Sequence, residues 1–194
     1  MSFLEENGVS LEDIDRVTQE GFAYAQSAPI VADKESNTRG IVGEWSWRDG
    51  VICVTDSYFW GLSFLNHGHA GIVASAPYYY QTVEALNATE GIDFVPEHWR
   101  GRFDGRIYQC GVNATTVAQD AQAASLATAW AQDKSKTYSL KSTLETTDTF
   151  YCSQLVYQAY RLGAGYTLPH ALPTVITPAD LLHQGATSII YRDE

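Results

Sequence analysis

The chain is poor in cysteine, in basic residues and in long apolar runs. Three cysteines occur in 194 residues, Cys53, Cys110 and Cys152. They form no C-x-x-C pair and no His–Cys cluster, which excludes the usual zinc and dithiol motifs, and their odd number argues against a disulfide framework. Neither a metal nor a cofactor is expected. Lys and Arg total 12 against 23 Asp and Glu, a formal charge of −11. That balance argues against nucleic acid and against an anionic membrane surface as partners. No apolar run reaches the ~18 residues of a membrane-spanning helix, so stable membrane insertion is not expected. Repeats and low-complexity tracts are absent as well.

What is present is an ordinary globular composition, 45% hydrophobic, at a length that suits one domain with a real core. Residues 9–26 read as a helix, with Ser10 as N-cap and Asp13 three positions on. Residues 27–50 carry turn signals and read as a linker. Val51–Thr55 reads as a buried strand. Tyr58–Asn66 is rich in aromatics and reads as a short helix or a packed loop. Gly71–Ala74 and Tyr79–Ala85 are expected to form a hairpin turning at Ala76-Pro77. Glu90–Gly105 reads as a loop, and 106–111 as another strand. Thr115–Asp133 is an alanine-rich helix capped by Asn113 or Thr115. Phe150–Leu162 is a helix stopped by Gly163 and Gly165. Pro178 after Thr177 opens a short helix, and Ser188–Tyr191 closes the chain as a strand. Strands clustered in mid-chain and joined by short turns predict an α+β fold with an antiparallel sheet and packed helices.

Cys53 and Cys110 fall inside strand patterns, where a cysteine is a small buried hydrophobe. Cys152 opens an apolar helix. A thiol there faces unpaired backbone N–H groups and the positive end of the helix dipole, and both favour the nucleophilic thiolate. An imidazole within reach completes a Cys–His pair for acyl transfer. His69 precedes the apolar run Ala70-Gly71-Ile72-Val73 and is anchored by a strand, whereas His67 is loop-bound. His98, His170 and His183 read as surface histidines. A turn at Ala76-Pro77 places Glu84 directly across from His69, close enough to accept from one imidazole nitrogen and leave the other for the thiol.

These residues carry a resemblance. His69-Ala70-Gly71-Ile72-Val73, Thr82-Val83-Glu84-Ala85 and Tyr151-Cys152-Ser153-Gln154-Leu155-Val156, in that order, resemble the permuted papain-like amidases of the YiiX/YebB type. These are relatives of the NlpC-type cell-wall peptidases and of the lecithin:retinol acyltransferases. Histidine precedes cysteine in the permuted group, as it does here. Arg48-Asp49-Gly50-Val51-Ile52 resembles the group's opening Gly-Asp-Ile strand, with Arg48 in place of the first glycine and Gly50 inserted. Ile176-Thr177-Pro178-Ala179-Asp180 resembles its late threonine-proline helix. The likeness runs over residues 45–191. It implies a circularly permuted papain-like catalytic domain over 45–194, with residues 1–44 as an N-terminal helix and linker packed on it.

The resemblance further implies a cysteine amidase or peptidase with Cys152 as nucleophile, His69 as general base and acid, and Glu84 as the group that orients His69. The Cys152 N–H would contribute to an oxyanion hole, with Tyr151 and Tyr58 as candidates for the second donor. The expected substrate is a peptide amide, in peptidoglycan first of all. The alternatives are a lipid or thioester acyl hydrolase or acyltransferase, and a non-catalytic binding module. Residues Met1-Ser2-Phe3-Leu4-Glu5-Glu6 lack the features of a Sec signal. The expected location is therefore cytoplasmic, or periplasmic by another route, as for a type VI interbacterial toxin with an immunity protein as partner.

Overall fold

A computed structural model describes residues 6–34, 42–57 and 67–193. These residues are α+β, built on a six-stranded sheet in which every neighbouring pair is antiparallel. Its strands are β1 (Ile52–Thr55), β2 (His69–Val73), β3 (Thr82–Asn87), β4 (Gly91–Val95), β5 (Ile107–Val112) and β8 (Thr187–Arg192), in spatial order β4-β3-β2-β1-β5-β8. A two-stranded parallel pair, β6 (Thr137–Tyr138) and β7 (Thr149–Phe150), lies apart from it. Three α-helices are described: α1 (Leu11–Ser27), α2 (Val117–Gln132) and α3 (Cys152–Gln158).

The central strands β1 and β2 are buried along their whole length. One face of the sheet packs Ile52, Val54, Ala70, Ile72 and Val83 against α2 and α3. The other carries a second apolar cluster of Cys53, Val73, Trp99, Phe103, Ile107 and Ile190. Helix α1 lies on the 3-10 turn Pro178–Leu182. A Cβ on Gly21 would come within 2.8 Å of the Ala179 Cβ, so the missing side chain sets how closely the two approach. Among the described residues no helix is long and apolar enough to cross a membrane.

Ser10 caps α1 as expected, its hydroxyl accepting from the Asp13 N–H at 3.0 Å. Helix α2 is capped one residue later than expected, by a Thr116–Gln119 capping box. Thr115 is drawn away to bond Asp120. Four other expectations fail. Residues 90–105 are not loop throughout: Gly91–Val95 adds an edge strand, because Ile92 and Phe94 pair with Ala85 and Val83, and Trp99–Gly101 forms a 3-10 turn. Residues 79–81 are not strand. Tyr79 and Tyr80 are exposed, and Tyr80 has φ +59°, which ends strand pairing there. Helix α3 loosens after Gln158 into a π-type turn, Ala159–Ala164, capped by left-handed Gly165. The 27–50 stretch is more than a linker. Lys34 and Arg48 converge on buried Asp120, with Arg48 donating at 2.8 Å and Lys34 at 2.9 Å, and Arg48 also pairs with Asp33 at 2.8 Å. Gly50, at φ +84°, passes so near the Asp120 backbone that no Cβ fits. The inserted glycine and the arginine in the opening strand therefore belong to this scaffold. The expected element at Tyr58–Asn66 lies outside the described residues.

Candidate active site

The sheet forks where the candidate nucleophile enters. Strands β2 and β3 pair only at Ile72↔Val83 and Val73↔Thr82. Continued, that register sets Leu86, not Glu84, across from His69. Glu84 is therefore diagonal to His69, one pleat repeat away, and remains on the same face because the side-chain period is two. The Val73 N–H donates to Val51 and the Ala74 N–H to Gln81, so alternate amides of β2 point toward β3. Ala70 belongs to the second set. Its N–H finds no strand opposite and is directed at the Cys152 sulfur, which also receives the Ser153 N–H.

Cys152 is the first residue of α3. Leu155 and Val156, both fully buried, fix that helix on the sheet, at about 1.5–3 kcal/mol for each such side chain removed from water. The Ser153 hydroxyl donates to the Ile176 carbonyl at 2.7 Å, and the Tyr151 hydroxyl accepts from the Ile176 N–H at 3.1 Å. The helix start is thus tied to the segment running into Thr177-Pro178. Cys152 is partly exposed, while Cys53 and Cys110 are fully buried. Burial pushes the Cys110 thiol up to about 12 and the Cys53 thiol higher still.

His69 joins the thiol to Glu84. The imidazole Nε2 lies 2.7 Å from Glu84 Oε2, which leaves Nδ1 for the hydrogen bond with Cys152. Burial opposes a charge on the ring, but the bonds to Cys152 and Glu84 outweigh it and lift the His69 pKa to about 9. Burial likewise opposes a thiolate at Cys152. The His69 hydrogen bond and charge, with the Ala70 and Ser153 N–H groups, overcome it and hold that thiol below its ordinary value. Both shifts favour the thiolate–imidazolium form of the pair over the neutral one.

Glu84 is completely buried and fully partnered. Arg102 donates to its two oxygens at 2.7 and 3.0 Å, and the Thr82 hydroxyl donates to Oε1 at 2.5 Å. Despite full desolvation, the His69 and Arg102 contacts bring its pKa down to about 2. Gly71 leaves the room for this: a Cβ there would sit 2.9 Å from the Glu84 Cγ. The His69 ring stacks on Trp99 with centroids 5.7 Å apart and planes at 24°, and the Arg102 guanidinium lies 4.8 Å from the Phe103 ring centre. With Cys152 and His69 ionised, the chain Cys152–His69–Glu84–Arg102 alternates in sign and has no net charge.

The structure thus brings Cys152, His69 and Glu84 together. His67 also lines the cleft, but its Nε2 is held 2.6 Å from Asp15 of α1 and its buried Nδ1 has no partner among the described residues. Tyr151 lines the cavity, but its hydroxyl is committed to Ile176. Tyr58 lies outside the described residues. Sequence reasoning missed Arg102, which falls in the presumed loop, and Tyr138 of β6. The Tyr138 hydroxyl makes no hydrogen bond among the described residues, and Tyr138 shares the cavity wall with Cys152. Burial, and then the charge on Cys152, keep its phenol protonated. The only sequence signal for it is an aromatic in a short polar segment.

Cys152 and His69 open into a cleft of about 100 Å³ walled by α1, the end of β3, residues 138–142 and residues 175–178. Among the described residues no group of three His, Cys, Asp or Glu side chains is placed to hold a metal ion. No family model matches the chain, and neither a curated protein nor a solved structure matches it.

Proposed function

We propose that the chain is a cysteine hydrolase with a permuted papain-like arrangement, cleaving an amide through a thioester at Cys152. The observation that carries this reading is the buried Cys152–His69–Glu84 chain at a helix start inside a cleft. The Cys152 thiolate attacks the carbonyl carbon, and the carbonyl π electrons move to oxygen. The Cys152 N–H and the Tyr138 hydroxyl are the donors available to that oxyanion. As the intermediate collapses, His69 gives its Nδ1 proton to the leaving amine, and the S–C bond remains as a thioester. A water then enters. His69 takes one proton as the water oxygen bonds to the thioester carbon. The C–S bond then breaks with its electron pair returning to sulfur. The released acid loses its proton to solvent, and the thiolate is left beside the imidazolium. Glu84 holds the imidazole in one orientation and stabilises its charge without being consumed.

A peptide amide in peptidoglycan is the first substrate class to test. A toxin role with an immunity partner belongs to the same reading. The decisive experiment incubates the protein with activated acyl esters and follows its mass. A covalent adduct on Cys152 that decays in water supports the reading, and the absence of any Cys152-dependent adduct overturns it. Tyr138→Phe should lower kcat by roughly 10²–10³-fold while the folded state persists. An unchanged kcat removes Tyr138 from the oxyanion hole.

A further inference from the structure

The walls of the cleft describe the acyl group better than they describe a wall peptide. Ile14, Ala85, Leu86, Leu140, Val175 and Pro178 form most of its apolar lining. Most polar side chains among them are already engaged within the protein; the exceptions among the described residues are the Tyr138 hydroxyl and the buried Nδ1 of His67, whose Nε2 is held by Asp15. Asn87 donates to Glu90. Ser142 donates to the Ser139 carbonyl at 2.8 Å, Ser153 to the Ile176 carbonyl at 2.7 Å, and Thr177 to Asp180 at 2.8 Å. No Lys or Arg side chain lines the cleft among the described residues. Lys141 lies between two lining residues in sequence but is exposed. The Arg102 guanidinium is spent on Glu84. A substrate carboxylate entering this cleft would lose its water and meet no Lys or Arg among the described residues, only the His69 ring already bonded to Cys152 and Glu84, with a net charge of −11 on the chain around it.

We infer that the acyl group delivered to Cys152 is neutral and apolar, a short aliphatic or small hydrophobic acyl carried as an amide, ester or thioester. This rests on the cysteine-hydrolase reading and narrows its substrate. Tyr138 and the Cys152 N–H occupy the polar end, where the carbonyl lies, and the apolar walls take the chain behind it. Enclosed apolar cavities of roughly 150 Å³ accept a benzene-sized group. A cleft of about 100 Å³ therefore fits a buried portion of only a few carbons.

The test compares p-nitrophenyl butanoate with the p-nitrophenyl hemisuccinate of nearly equal length, on wild type, Cys152→Ala and Leu140→Lys. Butanoate should be turned over at least 100-fold faster in kcat/KM, through Cys152. Leu140→Lys should narrow that ratio by tenfold or more, mainly by raising hemisuccinate turnover. Equal turnover of the two esters, or preference for hemisuccinate, with dependence on Cys152 intact, overturns the apolar-acyl inference and leaves the hydrolase standing. Turnover of neither ester through Cys152 overturns the hydrolase reading and the inference with it. Circular dichroism of each variant separates loss of selectivity from loss of fold.

Discussion

Two buried carboxylates in this molecule are each clamped by an arginine, and only one of them is joined to a reactive group. Asp120 takes Arg48 and Lys34, and through Arg48 reaches Asp33. Apart from the Thr115 hydroxyl, its partners are charged groups with no reactive side chain beyond them, so the cluster closes on itself and fastens Asp33, Lys34 and Arg48 to the start of α2. Glu84 takes Arg102 and His69. Its second partner can gain and lose a proton, and beyond that partner lies a thiol. The same ion-pair chemistry is a clasp in one place and the base of a proton relay in the other. The difference is the single histidine placed between acid and sulfur.

The largest expected effect tests the reactive end. Cys152→Ala abolishes hydrolysis, whereas Cys53→Ala and Cys110→Ala retain most of it, because the latter two thiols are buried and kept protonated. Iodoacetamide at neutral pH should label Cys152 alone, as mass mapping would reveal. His69→Ala should also remove activity. His67→Ala, which loses only the contact with Asp15, should keep it. Retained turnover by Cys152→Ala would end the comparison by leaving both clusters structural.

Next comes Glu84→Gln. The amide still bonds His69 but carries no charge and can select the wrong tautomer, so kcat should fall by about 10–10⁴-fold. An unchanged kcat takes Glu84 out of the site. A collapsed melting temperature makes it a clasp like Asp120.

The arginines sharpen the contrast further. Arg48→Gln takes one of two charged partners from buried Asp120, and should cost about 3–5 kcal/mol of stability with kcat of the folded fraction unchanged. Arg102→Gln should instead change the pH profile of Cys152 alkylation, and Arg102→Lys should restore it in part. Denaturant midpoints and alkylation rates against pH separate the two outcomes. If both variants lose only stability, Arg102 is a second clasp.

The smallest effect is on stability against pH. His69 has its pKa raised from 6.5 to about 9, so its contribution is full below 6.5 and is lost as pH rises to about 9. Glu84 has its pKa lowered from 4.5 to about 2, so its contribution is present above 4.5 and is lost as pH falls toward 2. The gap in melting temperature between wild type and His69→Gln should therefore shrink between pH 6.5 and 9. A constant gap across that range would mean that the folded state does not favour the imidazolium.

The α+β class, the antiparallel sheet and most strand positions were legible, because period-two patterning and turn residues announce them locally. Cys152 was legible from its place on a helix, and His69 from its place on a strand. Glu84 was legible through parity alone. The turn was misplaced, yet an even shift keeps a side chain on its face, so the diagonal pair forms where a direct pair was expected. Arg102 was not legible. It follows a strand that exists only through pairing with β3, in a stretch whose Pro96 and glycines signal a loop. The Asp33–Arg48–Asp120 cluster was invisible for a similar reason, since its members lie far apart in sequence and only Asp120 sits in a patterned element.

The fork between β2 and β3 has one further use. The Ala70 amide proton is held by a sulfur where its neighbours in the ladder are held by carbonyls. A carbonyl accepts equally at any ordinary pH, but a thiol accepts well only once ionised. Exchange of that one amide with deuterium should therefore slow as Cys152 ionises, while the amides of Ile72 and Ala74 keep a steady protection. A single backbone proton becomes a resident gauge of the nucleophile's charge, readable with no substrate added.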